Sequence, residues 1–178
     1  MQAPDNDKDS EMNQHEIAEI LAKPYSQELL FAPQPARFSY VALDGSPRVI
    51  PIGFHFDGEK LQTFTIPKSA KVKALAKNPK VALTLDTNGF PPKVLLIRGT
   101  AELKLEQGVP EEYIISGKKV MTDEQHVGWT AGVKDLYDEM TRITVTPTWV
   151  KLLDFETTLP KDVQDLIDAK QAQGQAQG

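Results

Sequence analysis

The sequence predicts a mainly β fold, an antiparallel barrel, closed or split, of about six strands with helices packed outside. Two Asp-Gly dipeptides, Asp44-Gly45 and Asp57-Gly58, sit between β-rich segments, which is the pattern of a meander of hairpins. From Arg37 onward the apolar residues recur with period two over several short stretches. Strands and helices do not alternate along the chain, which disfavours a doubly wound parallel sheet.

Residues 1–13 are polar and acidic and are expected to be disordered. Residues 15–22 form an amphipathic helix, with Ile17, Ile20 and Leu21 on one face, and Lys23-Pro24 stops it. Residues 26–31 add another helical turn. The first strand is 37–43, the second 48–56 and the third 60–66, separated by the two Asp-Gly turns. A short lysine-rich helix follows, with Ser69 as its N-cap and Pro79 beyond its end. Residues 81–86 are the fourth strand and 87–92 a Gly/Pro loop. Residues 94–105 are a long fifth strand, bent or bulged at Gly99. Two helical pieces fill 110–140, broken near Ser116-Gly117. One or two closing strands cover 143–155 around Pro147, and 160–170 is a terminal helix. Residues 171–178 are a Gln/Ala/Gly tail of low complexity, leaving 14–170 as a single domain.

Composition narrows the function. A net charge of -5 argues against general nucleic-acid binding, which needs a basic surface. No apolar run reaches the roughly 18 residues of a membrane span, and the N-terminus lacks the apolar core of a signal peptide. The chain has no cysteine, which excludes disulfides and thiolate metal sites and suits a cytoplasmic protein. His15, His55 and His126 lie in different elements and predict no metal site. No nucleophile elbow or phosphate loop is present. Asp123, Glu124, Asp135, Asp138 and Glu139 read as solvated helix charges, and Trp129 and Tyr137 as packing residues.

Against this acidic background, residues 68–80 hold five lysines and no acid. A helix start offers unpaired backbone N–H groups, and with Ser69 and the lysines beside it forms an anion site. The same pattern also fits a solvated helix, with Val72, Leu75 and Ala76 inward and Lys73 and Lys77 exposed. The second strand directs Ile50, Ile52, Phe54 and Phe56 to one face and Val49, Pro51, Gly53 and His55 to the other. A two-residue turn at Asp57-Gly58 would set Ile50 opposite Thr65 and Ile52 opposite Thr63. Arg48 and Thr65 would then share a face near Lys68, Ser69 and Lys71. Gly53 and Pro51 leave room on the other face for a flat ring.

At these residues the chain resembles the flavin-binding split-barrel family, the pyridoxamine 5′-phosphate oxidase-like group. The resemblance spans roughly residues 17–154. It is carried by Asp44-Gly45-Ser46-Pro47-Arg48-Val49-Ile50-Pro51-Ile52, Phe64-Thr65-Ile66-Pro67-Lys68-Ser69-Ala70-Lys71 and Asn78-Pro79-Lys80-Val81-Ala82-Leu83. Ile97-Arg98-Gly99-Thr100-Ala101-Glu102-Leu103 and Arg142-Ile143-Thr144-Val145-Thr146-Pro147 complete it. The resemblance implies a six-stranded antiparallel split β-barrel with peripheral helices, and a homodimer with two cofactor sites at the interface. It implies that Arg48, Val49, Ile50 and Pro51 approach the flavin, that Phe64 and Thr65 lie near its phosphate and ribityl chain, and that Lys71 contacts the phosphate. Lys93 falls where oxidase members carry a ring-contacting glutamine. Ala70 stands where they carry a phosphate-binding arginine, for which Lys68 would compensate. Trp149 and Arg142 only loosely match the residues that grip the vitamin B6 substrate, so the related deazaflavin reductases stay in view.

The resulting expectation is an FMN- or deazaflavin-dependent oxidoreductase that passes a hydride between the cofactor and a small organic substrate. The loop 87–92 or the segment 110–140 would shape its substrate pocket. The alternatives are a non-catalytic flavin- or haem-binding protein on the same barrel, and a barrel that has lost its cofactor.

Overall fold

The computed structural model describes residues 12–175. The expected disordered N-terminus lies outside them as far as residue 11, and so do the last three residues of the tail. Helix α1 (Gln14–Leu21) starts at a reciprocal cap: Asn13 Oδ1 accepts from the Glu16 amide, and Glu16 accepts from the Asn13 amide. Helix α2 (Pro24–Phe31) begins with proline in its first turn, where the missing N–H leaves no hydrogen bond unmade.

The strands are β1 (Ala36–Val41), β2 (Pro47–Ile52), β3 (His55–Phe56), β4 (Leu61–Thr65), β5 (Lys80–Asp86), β6 (Val94–Gln107) and β7 (Glu139–Leu153). They form one antiparallel sheet in the order β2-β1-β5-β6-β7-β4-β3. Seven strands replace the expected six because the second predicted strand is cut in two. β2 pairs with β1, β3 pairs with β4, and Gly53 and Phe54 join them. The sheet's two edges are therefore successive pieces of one chain joined at Gly53-Phe54, and no ladder pairs β2 with β3, so the barrel is split. The Gly53 carbonyl instead accepts the Thr63 hydroxyl at 2.9 Å.

This cut also corrects the expected register. β2 does not pair with β4, so Ile50 is not opposite Thr65; Ile50 faces Phe38 of β1. Beyond the cut, His55 faces Gln62 and Phe56 faces Leu61, leaving four residues in the connection. Asp57 organises that loop by accepting from the amides of Glu59 and Lys60. The first turn is likewise longer than two residues: Val41 faces Pro47, and Gly45 takes φ +81°.

β7 is one continuous strand through Pro147, not two. Opposite it, Arg98 faces Trp149 while Gly99 faces Pro147, so Thr148 is an extra residue on β7. A bulge is where a strand tolerates a residue with no N–H to donate. Gly99 is required there, since a Cβ would come within 2.6 Å of the Thr146 carbonyl oxygen.

Helix α3 (Ala70–Lys77) lies against β1 and β6. It buries Ala74 and Leu75, whereas Val72 is half-buried and Ala76 exposed; the inward stripe is thus shifted from the expected one. Helices α4 (Glu111–Lys118) and α5 (Asp123–Leu136) break at residues 119–122, after Ser116-Gly117 rather than at it. A capping box between Thr122 and Gln125 sets the start of α5. Helix α6 (Lys161–Gln175) runs into the expected tail with its side chains exposed through residue 173. Phe38, Leu29, Leu30, Leu61, Leu75, Leu85, Leu95, Ile97, Ile143 and Val145 fill the core, each worth about 1.5–3 kcal/mol on burial. No described helix is long and apolar enough to cross a membrane.

Candidate functional site

The lysine-rich helix begins as its sequence requires. Ser69 is extended and its Oγ accepts from the Val72 amide at 3.4 Å. A turn closed by the Ser69 amide on the Ile66 carbonyl at 3.1 Å joins this cap to the end of β4 at Thr65. Thr65, Ser69 and Lys71 therefore lie within one short connection from β4 into α3. Lys71 is half-buried, and no carboxylate among the described residues comes within ion-pair distance of it. Burial lowers its pKa from the ordinary lysine value. An ammonium that has lost water without gaining an acid favours an arriving anion. Lys68, Ala70, Lys73 and Lys77 are exposed.

The other predicted residues are placed differently. Arg48 is exposed on β2 and donates to Asp44 Oδ2 at 3.1 Å. It faces Tyr40 of β1, the strand that α3 packs against, so β1 rather than a β2–β4 ladder relates it to the lysine helix. Val49, at 63% exposure, and Pro51 face outward, while the half-buried Ile50 packs on the core. The four residues thus divide between two faces. Phe64 is buried, with its ring edge-on to Tyr113 at 5.7 Å and the Arg142 guanidinium 5.1 Å away.

Lys93 does not join this group within one chain. It reaches Glu28 at 2.6 Å and lies 4.0 Å from the Tyr25 ring centroid, tying the end of the 87–93 loop to α2. The hydrogen bond to Glu28, more than the neighbouring charges, raises its pKa. Arg142 is committed to Glu106, Glu112 and Gln62 at 2.9, 2.9 and 2.7 Å. Trp149 is stacked by Arg98 at 4.3 Å. Both loosely matched substrate residues are thus occupied within the chain.

Residues of the 110–140 segment line a cleft of about 280 Å³ where α4 and α5 cover the β2–β3 break. Gly53 and Phe54 line it from the sheet, Gln34 from the segment before β1, and Tyr113, Lys119 and Trp129 from the helical region. The Trp129 and Tyr113 rings meet at 5.1 Å. Trp129 lies on Gly117, where a Cβ would come within 2.5 Å of the indole. His126 Nε2 bonds the Ile114 carbonyl at 2.8 Å and fastens the two helices together. Lys119 donates to the Leu30 carbonyl at 3.0 Å and sits 4.2 Å from the Phe54 ring centroid. Burial lowers its pKa. Tyr113 is shifted upward, first by burial and then by Tyr137. The sequence pointed to Gly53 and to the 110–140 segment separately; that Gly117 seats an aromatic ring between them shows only in the structure.

A family model for pyridoxamine 5′-phosphate oxidase matches residues 22–153. No curated protein sequence matches the chain. Among solved structures, an F420 reductase is 24% identical, with 70% of this chain and 94% of that one covered and a TM-score of 0.55. A conserved hypothetical protein from Mycobacterium tuberculosis is 19% identical over 84% of this chain and 89% of its own, with a TM-score of 0.56. A heme binding protein from Mycobacterium smegmatis is 8% identical over 76% of this chain and 55% of its own, with a TM-score of 0.53. At these identities the likeness is one of fold.

Proposed function

The chain belongs to the pyridoxamine 5′-phosphate oxidase family, and from that membership we propose that it is an FMN- or deazaflavin-dependent oxidoreductase acting on a small organic substrate. When bound, the flavin-type ring supplies the hydride chemistry. The observation that carries this reading is Lys71, a half-buried ammonium without an acidic partner among the described residues, beside a capped helix start. That combination fits a phosphate monoester, which needs charge-assisted donors already in position. Thr65 and Ser69 would add hydroxyls, and the exposed Lys68 would supply the charge that Ala70 lacks. Arg48, Val49, Ile50 and Pro51 would border the ring, on a strand whose outward face is bare. A second copy covering that face would complete the site, so a homodimer is part of the proposal. An F420 reductase shares this fold, so F420 is a cofactor to test beside FMN.

The test is titration of FMN and of F420 into the purified chain. Lys71→Ala is expected to weaken binding about ten- to a hundredfold, the loss of one charged hydrogen bond. Lys77→Ala, on the exposed last turn of α3, is expected to bind like the parent. Equal binding by both variants overturns the phosphate assignment. A Soret band on adding haem, with neither FMN nor F420 bound, replaces this reading with a haem-binding one.

A further inference from the structure

We propose that the cleft over the β2–β3 break binds a planar aromatic carboxylate, with its ring against Trp129 and Tyr113 and its carboxylate on Lys119 Nζ and the Gln34 amide. Two unused donors point to the anionic end. A lysine ammonium has three protons to donate. The only acceptor recorded for Lys119 among the described residues is the Leu30 carbonyl, and none of their carboxylates reaches it. Gln34 Nε2 is a buried donor with no acceptor among the described residues. Buried polar groups normally find partners within their own chain. Here a cation and a neutral amide on the same cleft both want an acceptor.

The walls point to the aromatic end. Trp129 cannot sink further, because Gly117 already touches its ring. The Tyr113 ring, tilted against it, lies 5.1 Å from it between centroids. Phe54, 2% exposed, forms an apolar floor, and Gly53 adds no side chain. Fixed rings beside a bare backbone accept a flat ligand at little conformational cost. A volume of about 280 Å³ falls just below the roughly 300–1,000 Å³ of sites for drug-sized ligands, which suits a one- or two-ring acid. One cation with one neutral donor balances a carboxylate. A phosphate dianion would call for further positive charge, which none of these lining residues supplies. Binding here needs no cofactor, although the cleft begins two residues beyond Pro51 on the same stretch of chain.

The test uses 2-naphthoate and its uncharged analogue 2-naphthamide, titrated into the full chain without cofactor. Tryptophan fluorescence and NMR of the Gln34 side-chain amide follow binding. We expect 2-naphthoate to saturate and to shift the Gln34 resonances. Lys119→Met and Gln34→Leu should each weaken it about tenfold, while 2-naphthamide changes less than about twofold. Trp129→Leu should weaken both ligands, with Trp149 left as the reporter. Equal affinity of the unmodified chain for the two ligands overturns the proposal, as does no saturation by about 10 mM. Unchanged 2-naphthoate binding in folded Lys119→Met or Gln34→Leu does the same. If either variant fails to fold, the unmodified chain decides. Gln34 shifts with the acid and not the amide uphold the site, and their absence removes it. Lys71→Ala run alongside should keep 2-naphthoate binding while FMN binding weakens about ten- to a hundredfold, so this site and the phosphate site stand or fall separately.

Discussion

At the residue scale the cations divide by whether an acid reaches them. Arg142 is held by Glu106 and Glu112 and stacks on Phe64. Its side chain is 16% exposed, so its partners would be left half-desolvated without it. Arg142→Met is therefore expected to cost about 1.5–3 kcal/mol in denaturant unfolding. A loss below about 0.5 kcal/mol would mean that water already serves both glutamates. Asp154 predicts a pH dependence. The Thr157 hydroxyl first, and then the amides of Thr158, Thr157 and Glu156, bring its pKa down to about 2. The folded-state value lies below the unfolded one, so the ionised carboxylate stabilises the fold above about pH 4. That contribution disappears as pH falls from about 4 toward 2. Asp154→Asn should flatten thermal unfolding against pH across that window, and a variant as acid-sensitive as the parent would remove Asp154 from the account. The lysine cluster was visible in the chain because charge is a property of composition. Which lysines lack an acid was not, because Lys93 meets Glu28 across 65 residues and Lys119 meets a carbonyl 89 residues away.

At the element scale, local chemistry marked some boundaries and long-range contacts moved others. Ser69 capped its helix as expected because a cap is decided within four residues. The irregularity expected at Gly99 is there, but its extra residue, Thr148, is on β7; Gly99 itself is needed because the Thr146 carbonyl occupies the space of a side chain. Gly99→Ala should cost about 1–3 kcal/mol, since a backbone oxygen at 2.6 Å cannot rotate away. A thermal midpoint equal to the parent's would show that β6 and β7 slide apart freely. The α4–α5 break was misplaced, and the β2–β3 cut unforeseen, for a common reason. Gly117 stays helical because the indole of Trp129 rests on it, and the extended chain at Gly53 changes partners because the Thr63 hydroxyl takes its carbonyl. Each neighbour belongs to a later element of the chain, beyond the few residues that local propensity reads.

At the scale of the whole molecule, Val41 is 38% and Val49 63% exposed on neighbouring strands at one edge of the sheet. Large apolar side chains together on an outward sheet face favour a protein partner. A second copy there would make a two-fold pair. Light scattering should give twice the 19.8 kDa of one chain at micromolar concentration, and Val49→Glu should shift it toward the monomer. A monomeric parent would count against a shared cofactor site. The mainly β class, the barrel, the helix cap and the strand bulge were determined by the sequence alone, because alternation, turn chemistry and capping are decided within a few residues. The tertiary structure alone decided which strands pair, that one extended segment supplies both edges of the sheet, and that Gln34, Lys119 and Trp129 share a cleft. Those outcomes depend on contacts between residues far apart in sequence, whose free energies leave no periodic mark in the chain.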